Sequence, residues 1–203
     1  MRERKPVRHF SMIRSFHLAD FFTAANGFCG VVAIFEAMKF LKTDDFKHIY
    51  LAALLIPLAL VFDVLDGSIA RWRHAASSLG RELDSLADVI SFGVAPAAIA
   101  FAIGVNSRVD QLVLIYFALC GLARLARYNV TAESFSTETG KVKYFEGTPI
   151  PTSIVPLGLL MLLFLQGNLY PVRLFGIQFH LPVLFFFVSG CLMISKTLKI
   201  PKP

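Results

Sequence analysis

The chain has 203 residues, of which 56% are hydrophobic and 17% charged, and 20 Lys and Arg against 14 Asp and Glu leave a formal charge of +6. Soluble domains have roughly 45–50% apolar and about 25% charged residues. Both departures, with a mean hydropathy of +0.63, exclude an ordinary soluble domain, a disordered chain, a collagen and a coiled coil. What remains is an all-α integral membrane protein in which 1–203 forms a single domain. Its basic excess is expected to report orientation in a bilayer and not nucleic-acid binding.

The segment 1–17 carries Arg2, Arg4, Lys5, Arg8 and Arg14, with Phe10, Ile13 and Phe16 spaced by threes. It reads either as a short helix lying in the membrane surface or as a basic juxtamembrane tail. The apolar run 18–41 is too long for a signal peptide, is interrupted by Asp20, Asn26 and Glu36, and has no convincing small-residue cleavage site, so it is expected to be a retained first span. A helix needs about 20 mostly apolar residues to cross the hydrocarbon core. On that basis the chain parses into six transmembrane helices, near 18–41, 48–71, 84–105, 110–127, 150–168 and 181–198.

Charge sidedness tests this parse independently. With a cytoplasmic N-terminus, fifteen Lys and Arg fall on the inner side and five, Lys39, Lys42, Lys47, Arg108 and Arg173, on the outer side. That asymmetry places both termini in the cytoplasm. The longest polar interruption, 131–147, is expected to be an inner surface loop suited to act as a lid. Cys29, Cys120 and Cys191 lie apart in apolar stretches and read as packing residues. No repeat of 20–50 residues is visible, and His17, His48, His74 and His180 have no assigned catalytic role.

The chemistry concentrates between residues 63 and 88. Asp63 and Asp66 are three apart on the second helix, and Asp84 and Asp88 four apart on the third, so each pair shares a helix face. A short link would bring the four together at the inner end. Ionised groups at membrane depth face a protein interior or a water cavity, and four converging carboxylates repel unless countered. Two divalent cations would cancel their charge, and all-oxygen ligation without His or Cys favours Mg²⁺, Mn²⁺ or Ca²⁺. Paired metals suit displacement at phosphorus. The competing reading is a solvated ion-pair network with Arg71, Arg73 and Arg81. Gly67 and Ala70 leave room for close approach to the helix, and Arg71 is placed to meet a phosphate. Gly80 either serves the same approach or starts the third helix, while Ser77 and Ser78 could donate to phosphate or cap it.

Asp63, Asp66-Gly67, Ala70-Arg71, Gly80, Asp84 and Asp88 match every fixed position of a known pattern, and here the sequence resembles the CDP-alcohol phosphotransferase family. The match specifies eight residues within a 26-residue window. The resemblance implies a membrane enzyme of six helices that transfers a phosphatidyl group from a CDP-linked lipid to an alcohol and releases CMP. It implies two divalent cations, Mg²⁺ or Mn²⁺, on Asp63, Asp66, Asp84 and Asp88, with Asp88 also acting as base. It further implies a CDP-lipid pocket formed by Gly67, Ala70, Arg71, Ser77 and Gly80, with Thr23 and Asn26 from the first helix, and a homodimer among membrane lipids.

The segments Ser91–Ala97 (SFGVAPA), Arg124–Asn129 (RLARYN) and Phe145–Pro151 (FEGTPIP) look like the phosphatidylserine synthase branch of that family. They imply CDP-diacylglycerol and L-serine as substrates, with Arg124 or Arg127 available to the serine carboxylate. Both arginines could equally mark a cytoplasmic helix end. Two alternatives stand beside this expectation. One is a related transferase acting on glycerol phosphate or inositol phosphate. The other is a cation transporter with intramembrane carboxylates along its path.

Overall fold

The computed structural model describes residues 18–73, 78–136, 144–174, 176–195, 197 and 199–201. The reading of segment 1–17 therefore concerns residues outside those described. Helix α1 is Leu18–Thr43 and α2 is Phe46–Arg73. Helix α3 runs through three continuous segments, Ser78–Asp88, a π-helical turn Val89–Val94, and Ala95–Ala102. Helix α4 is Arg108–Ser136, α5 is Ile154–Leu165 behind a 3₁₀ turn Ile150–Ser153, and α6 is Val183–Ile194.

All six expected helices are present. Four contain stretches long and apolar enough to cross a membrane, Ala19–Thr43, Phe46–Ile69, Leu79–Ala102 and Arg108–Thr131. The last two are shorter than expected. At about 1.5 Å per residue, the 12 residues of α6 rise only about 18 Å, because the backbone turns extended at Ser195 (φ −66°, ψ 127°) and leaves the helix short of the expected 198. A hairpin fills the stretch between the last two helices. Its strands, β2 (Pro171–Leu174) and β3 (Ile177–His180), pair antiparallel from Pro171↔His180 to Leu174↔Ile177, with Gly176 at φ +79° in the turn.

The third helix begins six residues earlier than the expected 84, so Asp84 and Asp88 lie inside it and not at its start. The fourth continues to Ser136, into the stretch expected to be loop. Beyond it, β1 (Tyr144–Glu146) pairs with β4 (Lys199–Pro201), so the two ends of the expected loop, 131–136 and 144–146, are helix and strand, and its middle lies outside the described residues.

Small residues let the helices approach. The antiparallel α1–α2 pair packs through Ala33, Ala37, Ala52 and Ala59, with Phe40, Ile49 and Ile56 filling the remaining volume, all buried. The turn between them places Asp44 at φ +56°, and its N–H closes on the Phe40 carbonyl at 2.8 Å. Asp45 Oδ1 then accepts from the Lys47 N–H at 3.1 Å and caps α2. Helix α4 starts with a reciprocal cap: Ser107 N–H donates to Asp110 Oδ2 at 2.9 Å, and Asp110 N–H to Ser107 Oγ at 3.2 Å. Outward-facing Phe21, Phe28, Phe35, Leu54, Val61, Leu112 and Ile115 are exposed, as lipid-facing side chains are.

Gly147 ties the β1 segment to the site end of the bundle. It sits at φ +75°, and a Cβ there would lie 2.3 Å from the Met193 carbonyl oxygen. The next residue donates its N–H to Leu192 O at 3.2 Å. Ile150 reaches back between α3 and α4, where a Cβ on Gly121 would meet its Cδ1 at 2.6 Å.

Candidate active site

The site forms where the end of α2 meets the beginning of α3. One carboxylate oxygen from each of Asp63, Asp66 and Asp84 lies within 4.8 Å of the others. Asp88, one turn further along α3, is buried and close enough to feel the charges of Asp63, Asp84 and Asp66. The structure therefore brings together the four carboxylates picked out in the sequence. A fifth, Asp20 in the first turn of α1, is buried within electrostatic reach of Asp66. In the sequence it appeared only as an interruption of an apolar run.

Helix α1 supplies neutral donors to this acidic group. Thr23 Oγ1 donates to Asp66 Oδ2 at 2.7 Å, and Asn26 Nδ2 donates to Asp88 Oδ1 at 3.0 Å. Thr23 is 3% and Asn26 0% exposed, so both bonds are shielded from water and correspondingly strong. Gly27 allows the two helices to close: a Cβ there would stand 3.4 Å from that of Ala87.

Asp84 Oδ1 is buried and has no hydrogen-bond partner. A buried carboxylate oxygen without a donor is costly, and the three carboxylates in mutual proximity make a hard, all-oxygen donor set. The residues present therefore fit a divalent cation.

Helix α4 closes the site from the other side. Arg124 is 9% exposed, its Nε has no partner, and it lies within the field of Asp88. Arg127, its expected alternate, is half-buried. Asn129, which sequence reasoning noted only as the end of RLARYN, holds α4 to α3 by donating Nδ2 to Ser85 Oγ at 3.0 Å and Glu82 Oε2 at 3.2 Å. Gly67 and Gly80 stand half-buried on α2 and α3. Ala70 and Arg71 lie in the last turns of α2, with their side chains outside the described part, as is the whole of Ser77.

A family model described as CDP-alcohol phosphatidyltransferase matches residues 16–193. The chain belongs to the CDP-alcohol phosphatidyltransferase family. The match includes all six helices almost to the end of α6, far beyond the Asp pattern. Among family relatives, a protein of Saccharomyces cerevisiae named CDP-diacylglycerol–serine O-phosphatidyltransferase is 48% identical over 204 aligned residues, covering 96% of this chain and 74% of its own. Proteins of the same name from Helicobacter pylori and Methanocaldococcus jannaschii are 40% and 32% identical, covering 73% and 91% of this chain. The matches span 61% of the Helicobacter protein and 87% of the Methanocaldococcus protein.

Proposed function

We propose that this membrane transferase moves the phosphatidyl group of CDP-diacylglycerol to the hydroxyl of L-serine, giving phosphatidylserine and CMP. The observation that carries the reading is the convergence of Asp63, Asp66 and Asp84 within 4.8 Å beside buried Asp88. The shared name of relatives from yeast, bacteria and an archaeon supports the choice of acceptor. Membership of a transferase family weighs against the cation-transporter alternative.

In this reading Asp63, Asp66, Asp84 and Asp88 would hold two divalent cations, Mg²⁺ or Mn²⁺. Such ions supply charge neutralisation for a diphosphate and for the departing CMP oxygen. The serine hydroxyl oxygen forms a bond to the phosphorus bearing diacylglycerol, the bond from that phosphorus to CMP breaks, and the hydroxyl proton passes to Asp88. Asp88 Oδ1 is already occupied by the Asn26 amide, which leaves Oδ2 for the proton. Arg124, buried and with Nε unpartnered, is the cation for the serine carboxylate, with Arg127 behind it. Gly67, Ala70, Arg71, Ser77 and Gly80 line the CDP pocket, with Thr23 and Asn26 on its α1 side. Asn26 keeps an unpartnered Oδ1 for that purpose.

Orientation follows from charge: the basic excess puts both termini and the site at the cytoplasmic face. The chain is taken to act as a homodimer, as the resemblance implies. Acceptor competition in detergent tests the assignment. CMP release should require serine and a divalent cation. Release that is as fast with glycerol 3-phosphate or inositol phosphate, and absent with serine, would replace serine as the acceptor.

A further inference from the structure

The π-helical turn Val89–Val94 begins directly after Asp88. A π turn inserts one residue into a helix and re-aims the side chains that follow it. Here it presents Ser91, fully buried, to α1, where Ser91 Oγ donates to the backbone carbonyl of Asn26 at 2.8 Å. The side chain of the same Asn26 donates to Asp88 Oδ1 at 3.0 Å. One residue of α1 is thus gripped twice by α3, through its backbone by Ser91 and through its amide by Asp88, three residues earlier.

Gly30 makes the grip sterically feasible. A Cβ at that position would fall 2.5 Å from Ser91 Oγ, 2.8 Å from its Cα and 3.0 Å from its N. Any side chain at 30 would push the π turn away from α1. A merely cohesive contact between two membrane helices needs no hydroxyl, and away from the site the neighbouring α1–α2 seam packs through alanines and larger apolar side chains. A buried hydroxyl aimed at the backbone of the residue that orients a carboxylate does something an alanine cannot.

We propose that Ser91 is a positioning residue for phosphatidyl transfer. Acting through Asn26, it holds the Asp88 carboxylate with one oxygen tied to the Asn26 amide and the other turned towards the acceptor hydroxyl. The proposal rests on the reading of Asp88 as the base. It places the SFGVAPA segment in the timing of chemistry and not in the binding of either substrate.

The experiment uses the full chain in detergent with CDP-diacylglycerol, serine and Mg²⁺. Ser91→Ala should lower kcat about tenfold, the scale of a small misplacement of a reacting group, and leave KM for both substrates within about twofold. In an Asn26→Ala background, Ser91→Ala should cause no further fall in kcat, because its path to Asp88 is already cut. Gly30→Ala perturbs the same contact from α1 and should reproduce the kcat loss, which keeps the test available if Ser91→Ala does not fold. Wild-type kcat in folded Ser91→Ala or Gly30→Ala, or a full additional loss in the double variant, overturns the proposal. Asp88→Asn is measured in parallel. If it retains turnover, the base assignment itself has failed, whereas an inactive Asp88→Asn beside a normal Ser91→Ala removes only the role of Ser91.

Discussion

The two ends of the helical bundle both bury acidic side chains, and they treat them differently. At the end away from the site, Asp110 is fully buried and fully served: it accepts from the Ser107 N–H, the His180 N–H at 2.9 Å and His180 Nδ1 at 2.6 Å. Nearby, Glu36 is matched by Lys39 and by His48, each at 2.6 Å. At the site end, the four carboxylates draw on neutral donors, Thr23 and the Gly67 N–H for Asp66 and Asn26 for Asp88, and Asp84 Oδ1 has no hydrogen-bond partner. The same chain that neutralises its acids with local partners at one end leaves them concentrated and under-compensated at the other. Burial without compensation is expensive, so this contrast supports the proposed divalent cations as the compensating charge.

Substitutions at the two ends should therefore fail in different ways. The largest effect is expected for Asp88→Asn, which keeps the shape and removes the proposed base. Turnover should fall by about 10²–10⁴-fold while CDP-diacylglycerol still binds, as measured by CMP release alongside equilibrium binding. Asp66→Ala comes next: it should raise the Mg²⁺ requirement and weaken CDP-lipid binding together, since one group serves both. At the opposite end, Asp110→Ala should cost about 1–3 kcal/mol by orphaning buried donors. That loss is visible as a lower Tm, with kcat per folded molecule unchanged.

The smallest effect belongs to the exposed Asp45–Lys47 pair at 2.8 Å. Lys47 holds the Asp45 carboxyl below its ordinary range, chiefly through their hydrogen bond. The small stabilisation is thus present above the ordinary carboxylate pKa of about 3.9 and lost as pH falls through the depressed value. Lys47→Ala should leave Tm at neutral pH unchanged within error.

The legible features were those with a local cause. Apolar runs long enough to span a bilayer announced the helices, and four aspartates within 26 residues of so apolar a chain announced the candidate site. Thr23 and Asn26 were visible as polar residues inside a membrane helix. What the sequence hid depends on tertiary contact. Asp110 meets His180 across 70 positions. The π turn is a choice of backbone bonding made where α3 packs on α1, and nothing in VISFGV requires it until Gly30 is placed opposite Ser91. Helix ends shifted for the same reason: α4 runs on to Ser136, and the last span stops at Ile194, where the chain turns extended towards β4.

The contrast between the ends comes down to whether the acidic cluster works through divalent cations. The most direct measurement is CMP release from CDP-diacylglycerol and serine after complete chelation, followed by Mg²⁺ or Mn²⁺ titration, on wild type and Asp84→Ala. The account predicts no turnover without metal, saturable recovery in the wild type, and recovery in Asp84→Ala only at much higher metal, if at all. Full turnover in the chelated wild type, or an identical metal dependence in Asp84→Ala, would contradict it.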